Sequence, residues 1–293
     1  MLTVSTSLPI RLLRRAQSAR ISLPRRLRAV GLMAQGIDQS ATFTPDSTPL
    51  DQQMRVRATP DQIDIAALLE EAAQLVHAQL LPRIQRYRVQ IVAIEQLTEA
   101  QRAWLWDYFV QQIYPLLTPL AIDSGRPFPA IQSCRLNFLV VLQATTQPGR
   151  MVERYGVVQI PARLPRLIRV ESVGAEARRA GTAKPVRYLV WREEIVRYFL
   201  PAIFSGMTVT AAYQFRLLRA NLDNPNAPSI ASGQPPSPGQ APIVRLDIEK
   251  TMPPHLRHWL IGRLHLSPDQ VLSCTTPLGL GDLCELAKQL KPY

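Results

Sequence analysis

Residues 114–137 read YPLLTPLAIDSGRPFPAIQSCRLN. Pro115, Pro119, Pro127 and Pro129 each fix φ and remove a backbone donor, and each pushes the residue before it toward extended geometry. A helix arriving at Tyr114 must stop here, and the chain must leave as a stiff, extended segment. Directly after it stands LNFLVVLQ (136–143), a β-type run. The stretch is thus a helix-to-sheet junction, with Asp123, Arg126 and Asn137 as its polar fixtures.

Upstream of the junction the pattern is helical. Residues 1–37 form two basic helices broken at Pro24, and residues 41–61 form a Thr/Pro/Asp-rich loop. A helix then starts with Thr59 as N-cap and Pro60 as its first residue. It runs through Ile65, Leu68, Leu69, Ala72, Leu75, Val76 and Leu80 at the 3/4 spacing of one buried face. The next begins at Thr98, with Gln101 completing a capping box, and ends at Pro115. Residues 1–115 read as all-helical, degenerate over 1–60.

Downstream, β-rich runs at 136–143, 155–161, 186–191, 207–218 and 243–250 alternate with helical stretches at 192–200, 253–265 and 281–290. The predicted fold class is α+β: a helical N-terminal domain, 1–115, followed by a mixed α/β domain, 116–293. Residues 221–242, NLDNPNAPSIASGQPPSPGQAP, read as a flexible Pro-rich loop inside it.

The chain of 293 residues carries a net charge of +12, and four of its 34 cations are lysines. Residues 1–37 hold seven arginines and no acid, and residues 121–223 hold fifteen cations against seven acids. Such a field favours polyanions: nucleic acid, an anionic membrane surface or inorganic polyphosphate. No apolar run approaches the roughly 20 residues of a membrane span. Cys134, Cys274 and Cys284, widely spaced, suggest buried free thiols in a reducing, cytoplasmic setting, peripheral membrane attachment not being excluded. Residues 1–30 also have the composition of an organelle-targeting segment, and that reading stays open.

Glycine-loop and nucleophile-elbow motifs are missing. His77, His255, His258 and His265 lack a third metal ligand nearby and read as ordinary helix histidines. Glu70-Glu71 and Glu193-Glu194 diverge by about 100° on a helix and read as solvated faces. The four tryptophans read as core or rim packing. What remains is arginine-rich: eleven cations lie between residues 150 and 197. Among them Arg154, Arg163, Arg166, Arg169, Arg187 and Arg192 are candidates for gripping phosphate, since guanidinium forks match phosphate oxygens. An ordinary Arg-rich surface is the alternative.

The junction string resembles that of the long, multidomain polyphosphate kinases. So do VVQIPARLPRLIRV (157–170), YLVWREEIVRYFLPAIFSGMTVTAAYQFRLLRANLD (188–223) and IVRLDIEKTMPPHLRHWLIGRLHLSPDQVLSCTTPLGLGDLCEL (243–286). The resemblance implies a helical N-terminal domain plus the family's middle domain. The family reaction is reversible transfer of the ATP γ-phosphate to polyphosphate, with ATP and Mg²⁺ bound in the full-length enzymes. The family's adenine-contacting asparagine falls at Gly36, within Gln35-Gly36-Ile37-Asp38, and is not retained. Its catalytic histidine and phosphate-gripping arginines belong to C-terminal domains expected after Tyr293. The expectation is therefore a chain with no catalytic residue, cofactor or metal of its own. It would act as an accessory, polyanion-binding or remnant protein, partnered by polyphosphate, a catalytic chain or a second copy of itself. A subunit of a split active kinase and a basic nucleic-acid-binding module are the alternatives.

Overall fold

The computed structural model describes residues 7–39, 64–122, 128–147, 150–171, 186–220 and 241–290. Helices α1 (Ser7–Gln17) and α2 (Leu23–Gln39) form a hairpin, with Pro24 in the first turn of α2 as its fixed φ allows. The proposed cap Thr59 lies outside the described residues. Within them α3 (Ile65–Leu75) begins at Asp64, whose side chain accepts from Ala67 N at 3.1 Å. Its buried face, Leu68, Ala72 and Leu75, continues through the wider turn Val76–Leu80 into the tight turns of Leu81–Tyr87. The capping box of α4 (Glu99–Tyr108) forms as expected. Gln101 N donates to Thr98 Oγ1 at 3.3 Å, and Thr98 N donates to Gln101 Oε1 at 3.0 Å. The helix then widens over Phe109–Ile113 and closes in the Tyr114–Leu116 turn at Pro115.

The all-helical expectation for residues 1–115 needs one correction. Arg88 takes a left-handed φ of 53°, which ends the preceding turn and turns the chain into β1 (Val89–Ile91). Three residues are too short to show a period, so no sequence pattern announces this strand. It pairs in parallel with β6 (Arg187–Trp191), which pairs antiparallel with β5 (Leu167–Val170), giving a small sheet in the order β1-β6-β5.

The larger sheet runs β2-β4-β3-β7-β8-β9. Its strands are β2 (Pro119–Ile122), β3 (Leu136–Gln147), β4 (Arg150–Gln159), β7 (Thr208–Arg219), β8 (Ile243–Glu249) and β9 (Val271–Cys274). All neighbours are antiparallel except β8 and β9. The junction behaves as its prolines dictate: the helix stops, and Pro119–Ile122 lies extended as the sheet's edge. Asp123 and Arg126 lie outside the described residues.

The run LNFLVVL lacks alternation because the sheet is covered on both faces. Phe138, Val140 and Leu142 pack with Leu105, Phe109 and Ile195. Leu139 and Val141 point the other way, to Phe215, Leu256 and Leu260. The covering helices are α4, α5 (Arg192–Tyr198) and α6 (Leu200–Ile203) on the first side, and α7 (Pro254–Leu264) on the second. The final helix, α8 (Leu283–Gln289), turns back to the hairpin: Leu283, Leu286 and Leu290 share one core with Leu27, Val30 and Met33. Gly31 permits that approach, since a Cβ there would stand 2.6 Å from Cys284 Sγ. The architecture is α+β, a helical N-terminal region followed by mixed sheets. Most of the Pro-rich segment (221–240) lies outside the described residues.

Candidate functional site

Three separated stretches converge between the hairpin and the large sheet. Asp38, near the end of α2, faces Arg216 on β7 and Arg245 and Asp247 on β8. Arg216 grips Asp38 with both Nη atoms, at 2.8 and 2.9 Å, and Asp247 at 2.9 Å. Arg245 donates to Asp38 Oδ1 at 2.8 Å and to Asp247 Oδ1 at 2.7 Å. Two cations alternate with two anions, so the buried group is neutral overall. Burial alone would lower Arg216 and Arg245, but Asp247 and Asp38 raise both above their ordinary range. Burial would likewise raise Asp247, but Arg245 and Arg216 hold it below the usual carboxylate range. Next to this square, Gln35 Nε2 donates to the Gly281 carbonyl at 3.0 Å. A cleft of about 220 Å³ opens beside it, lined by Gln35, Asp38, Cys134, Arg216 and Asp282.

A second buried junction holds Arg166, 3 % exposed, at the start of β5. It donates to Glu193 at 2.7 Å, to the Gly279 carbonyl at 2.6 Å and to Asp282 at 3.2 Å, and stacks over Trp191 at 5.2 Å. Glu193 is 1 % exposed, which corrects the solvated-face reading of Glu193-Glu194. A carboxylate on a short helix is drawn inward when it is the partner of a buried guanidinium. Glu194 is half-buried, and burial pushes its carboxyl up, with Glu193 and Glu249 adding to the shift and Arg197 opposing it.

The six candidate arginines are dispersed. Arg166 and Arg192 are buried and bonded inward, Arg192 to the Leu164 carbonyl. Burial lowers the Arg192 guanidinium, Arg166 adding to the effect and Glu193 opposing it. Arg187, half-buried on β6, donates to the Gln289 carbonyl at 3.2 Å. Arg154 on β4, Arg163 after β4 and Arg169 on β5 are exposed. Of the six, Arg163 lines an open polar cleft of about 490 Å³ at the foot of the junction, with Leu116, Thr118, Gln132, Arg135 and Gln159. Arg135 was not among the candidates; its position just before a buried strand, at the mouth of the Pro-rich turn, is the signal that marks it. Gln159 sits opposite Asn137 across the β3–β4 ladder. Its Nε2 is buried without a hydrogen-bond partner, as is Asn137 Oδ1, while Asn137 Nδ2 donates to the Arg135 carbonyl at 2.8 Å. Two exposed guanidinium groups, a hydroxyl and amide donors suit an anion with several oxygens.

The histidines stay apart from both arginine networks. His77 meets the Thr276 carbonyl through Nε2, and His255, His258 and His265 are exposed on α7 and its end. Among the described residues no group of His, Cys, Asp and Glu is arranged to hold a metal ion. The thiols also differ from expectation: Cys134 is exposed, and Cys274 and Cys284 are partly buried. Burial, helped by Asp247, pushes the Cys274 thiol up to about 12, so it stays protonated at neutral pH.

The family model of the polyphosphate kinase middle domain matches residues 100–224. Polyphosphate kinase 1 of Chlorobaculum tepidum is 28% identical over 246 residues, 82% of this chain and 33% of its own. A polyphosphate kinase of Thermosynechococcus vestitus is 32% identical over 200 residues, 66% of this chain and 26% of its own. The chain belongs to the polyphosphate kinase family. The crystal structure of polyphosphate kinase from Porphyromonas gingivalis superposes with a TM-score of 0.73 over 98% of this chain and 41% of that one, at 17% identity, and so supports the fold. The chain spans about a third of the length of the curated relatives it matches. The strings that carried the resemblance supply Arg166, Arg216, Asp247 and Asp282, and the Gly36 register supplies Gln35 and Asp38. These residues build the two buried networks. Asp38 and Gln35 thus have a structural task in this chain, whatever the neighbouring Gly36 does not provide.

Proposed function

We propose that this chain is the phosphate-gripping and scaffolding portion of a polyphosphate kinase-type protein, not the part that transfers phosphate. The proposal divides it into a helical unit, residues 1–115, and a middle unit, residues 116–293. Inorganic polyphosphate is the proposed ligand, held by Arg135 and Arg163 in the cleft at the junction. The observation that carries this reading is the cleft itself: exposed Arg135 and Arg163 line it together with Gln159, whose Nε2 has no hydrogen-bond partner among the described residues. Phosphoryl transfer through a histidine needs that nucleophile set among positive charges. Three of the four histidines here are exposed on and after α7, away from the arginine networks. In the family, ATP and Mg²⁺ supply the phosphoryl group and its charge neutralisation; no step through them is assigned to these residues.

The test is direct. With ATP and Mg²⁺ the purified chain should form no polyphosphate and no acid-labile phosphohistidine, while binding polyphosphate more tightly than single-stranded RNA or duplex DNA of equal charge across a salt series. Pure counterion release would give steep salt slopes without preference among the three, which is the outcome of the nucleic-acid-module reading. Phosphohistidine on this chain would overturn the proposal. A second reading is one subunit of a split kinase, in which this chain supplies the helical and middle units. Polyphosphate synthesis restored by adding a chain with the remaining domains would establish it.

A further inference from the structure

One amide, Asn137, stands at the start of β3 among Leu136, Phe138, Leu139 and Val140, and it is 0 % exposed. Its Nδ2 donates to the Arg135 carbonyl at 2.8 Å, and that bond fixes which way the amide points. Oδ1 is the atom left over, buried and with no hydrogen-bond partner among the described residues. Asn137 pairs with Gln159 across the β3–β4 ladder, so the two side chains share a face of the sheet, about 5 Å apart at Cβ. Gln159 lines the cleft with Arg135 and Arg163, and its Nε2 is also buried without a partner. An acceptor and a donor are thus left unpaired on adjoining positions, and each costs stability while it stays so. The charged groups of the lining are Arg135 and Arg163, and neither joins an ion pair among the described residues. A free acceptor has no use in a site for a fully ionised anion. It has one if the anion carries a proton.

We propose that Asn137 and Gln159 make the cleft selective for a proton-bearing phosphate group, the end of a phosphate chain and not its interior, a selectivity that rests on the phosphate reading of this cleft. A P–OH of the end group donates to Asn137 Oδ1, and a P–O⁻ of the same group accepts from Gln159 Nε2. Arg135 and Arg163 hold the remaining charge. An end group gives up its last proton near neutrality, at a pKa of about 6 in a phosphate monoester. An interior phosphate has no such proton, and neither has sulfate. Turning the Gln159 amide over would not remove the demand, since Asn137 Oδ1 would still lack a donor. A site built to bond a hydroxyl rejects the analogue without one, because its buried polar atom is then left unpaired.

The experiment is calorimetric titration of the full chain with linear tripolyphosphate, which has two end groups, and with cyclic trimetaphosphate, which has none. At slightly acid pH and fixed ionic strength the linear probe should bind at least about tenfold more tightly. Raising the pH through the ionisation of the end group should weaken its binding, although its charge grows. Two guanidinium groups acting by charge alone would give the opposite sign. N137L places an apolar side chain of similar size in the strand, and should bring the linear probe down to the cyclic level while leaving the cyclic affinity as in the parent. Should N137L lower the thermal midpoint, the two-probe comparison and the sign of the pH effect in the parent still decide. Equal binding of the two probes, binding that strengthens with pH, or a gap that folded N137L leaves in place overturns the selectivity. If R135A/R163A still abolishes that binding, the cleft stands as a plain anion site. No binding of either probe, or binding that R135A/R163A leaves untouched, overturns the phosphate reading of the cleft and the selectivity with it.

Discussion

Asp247 is buried between two guanidinium groups, and its carboxylate is worth most to the fold when charged. Replacing it with alanine leaves Arg216 and Arg245 buried with half their compensation, and should cost about 3–5 kcal/mol in chemical denaturation. Its pKa is depressed in the folded chain relative to the unfolded value of about 3.9. The stability it contributes is therefore complete above pH ~4 and is lost as pH falls through the lower folded value. Glu194 works in the opposite sense, because burial raises its carboxyl. Acid titration of the parent against Asp247→Asn should show the parent's acid-induced loss of stability blunted in the variant. Equal acid profiles would show that the square contributes nothing to acid stability. The thiols give a simpler readout. Exposed Cys134 should react with iodoacetamide at neutral pH well before Cys274, whose thiol is held up near 12. Peptide mapping that found Cys274 labelled first would contradict that order.

Elements differed in how plainly they could be read. The α4 start was written in Thr98 and Gln101, and both hydrogen bonds form. Thr98→Ala should cost about 1 kcal/mol, measured by urea unfolding. The run at 136–143 was legible as a strand, while its cover on both faces, which fits its lack of alternation, came only with the fold. Strands β1, β5 and β9 went unread, since three or four residues support no period and their pairing is decided by partners far along the chain. Glu193 was misread for a related reason: whether a carboxylate faces water depends on Arg166, 27 positions away. The charge square had a visible trace, charged residues inside apolar strands in QFRLLR and IVRLDIE, but only the fold could bring Asp38 to them. Arg135 likewise took its meaning from the cleft. At the crossing of α2 and α8, Gly31 is the contact point. Gly31→Leu should unfold or separate that packing, with a lowered thermal midpoint and exposed α8 amides in hydrogen exchange.

Across the whole molecule, the junction that ends α4 also forms one wall of the cleft, so the rigidity set by the prolines positions the anion site. Leu116 and Thr118 come from that segment, Gln132 and Arg135 from its exit, and Gln159 and Arg163 from the end of β4. Family membership accounts for the fold. The proposed task of this chain, holding phosphate without transferring it, rests on Arg135 and Arg163. Calorimetric titration of polyphosphate into the parent and R135A/R163A, at one ionic strength, tests that claim most directly. The account predicts an affinity at least about tenfold weaker in the variant, each lost charge-assisted bond being worth about 1.5–3 kcal/mol, with an unchanged thermal midpoint. Equal affinity in the two proteins would contradict it.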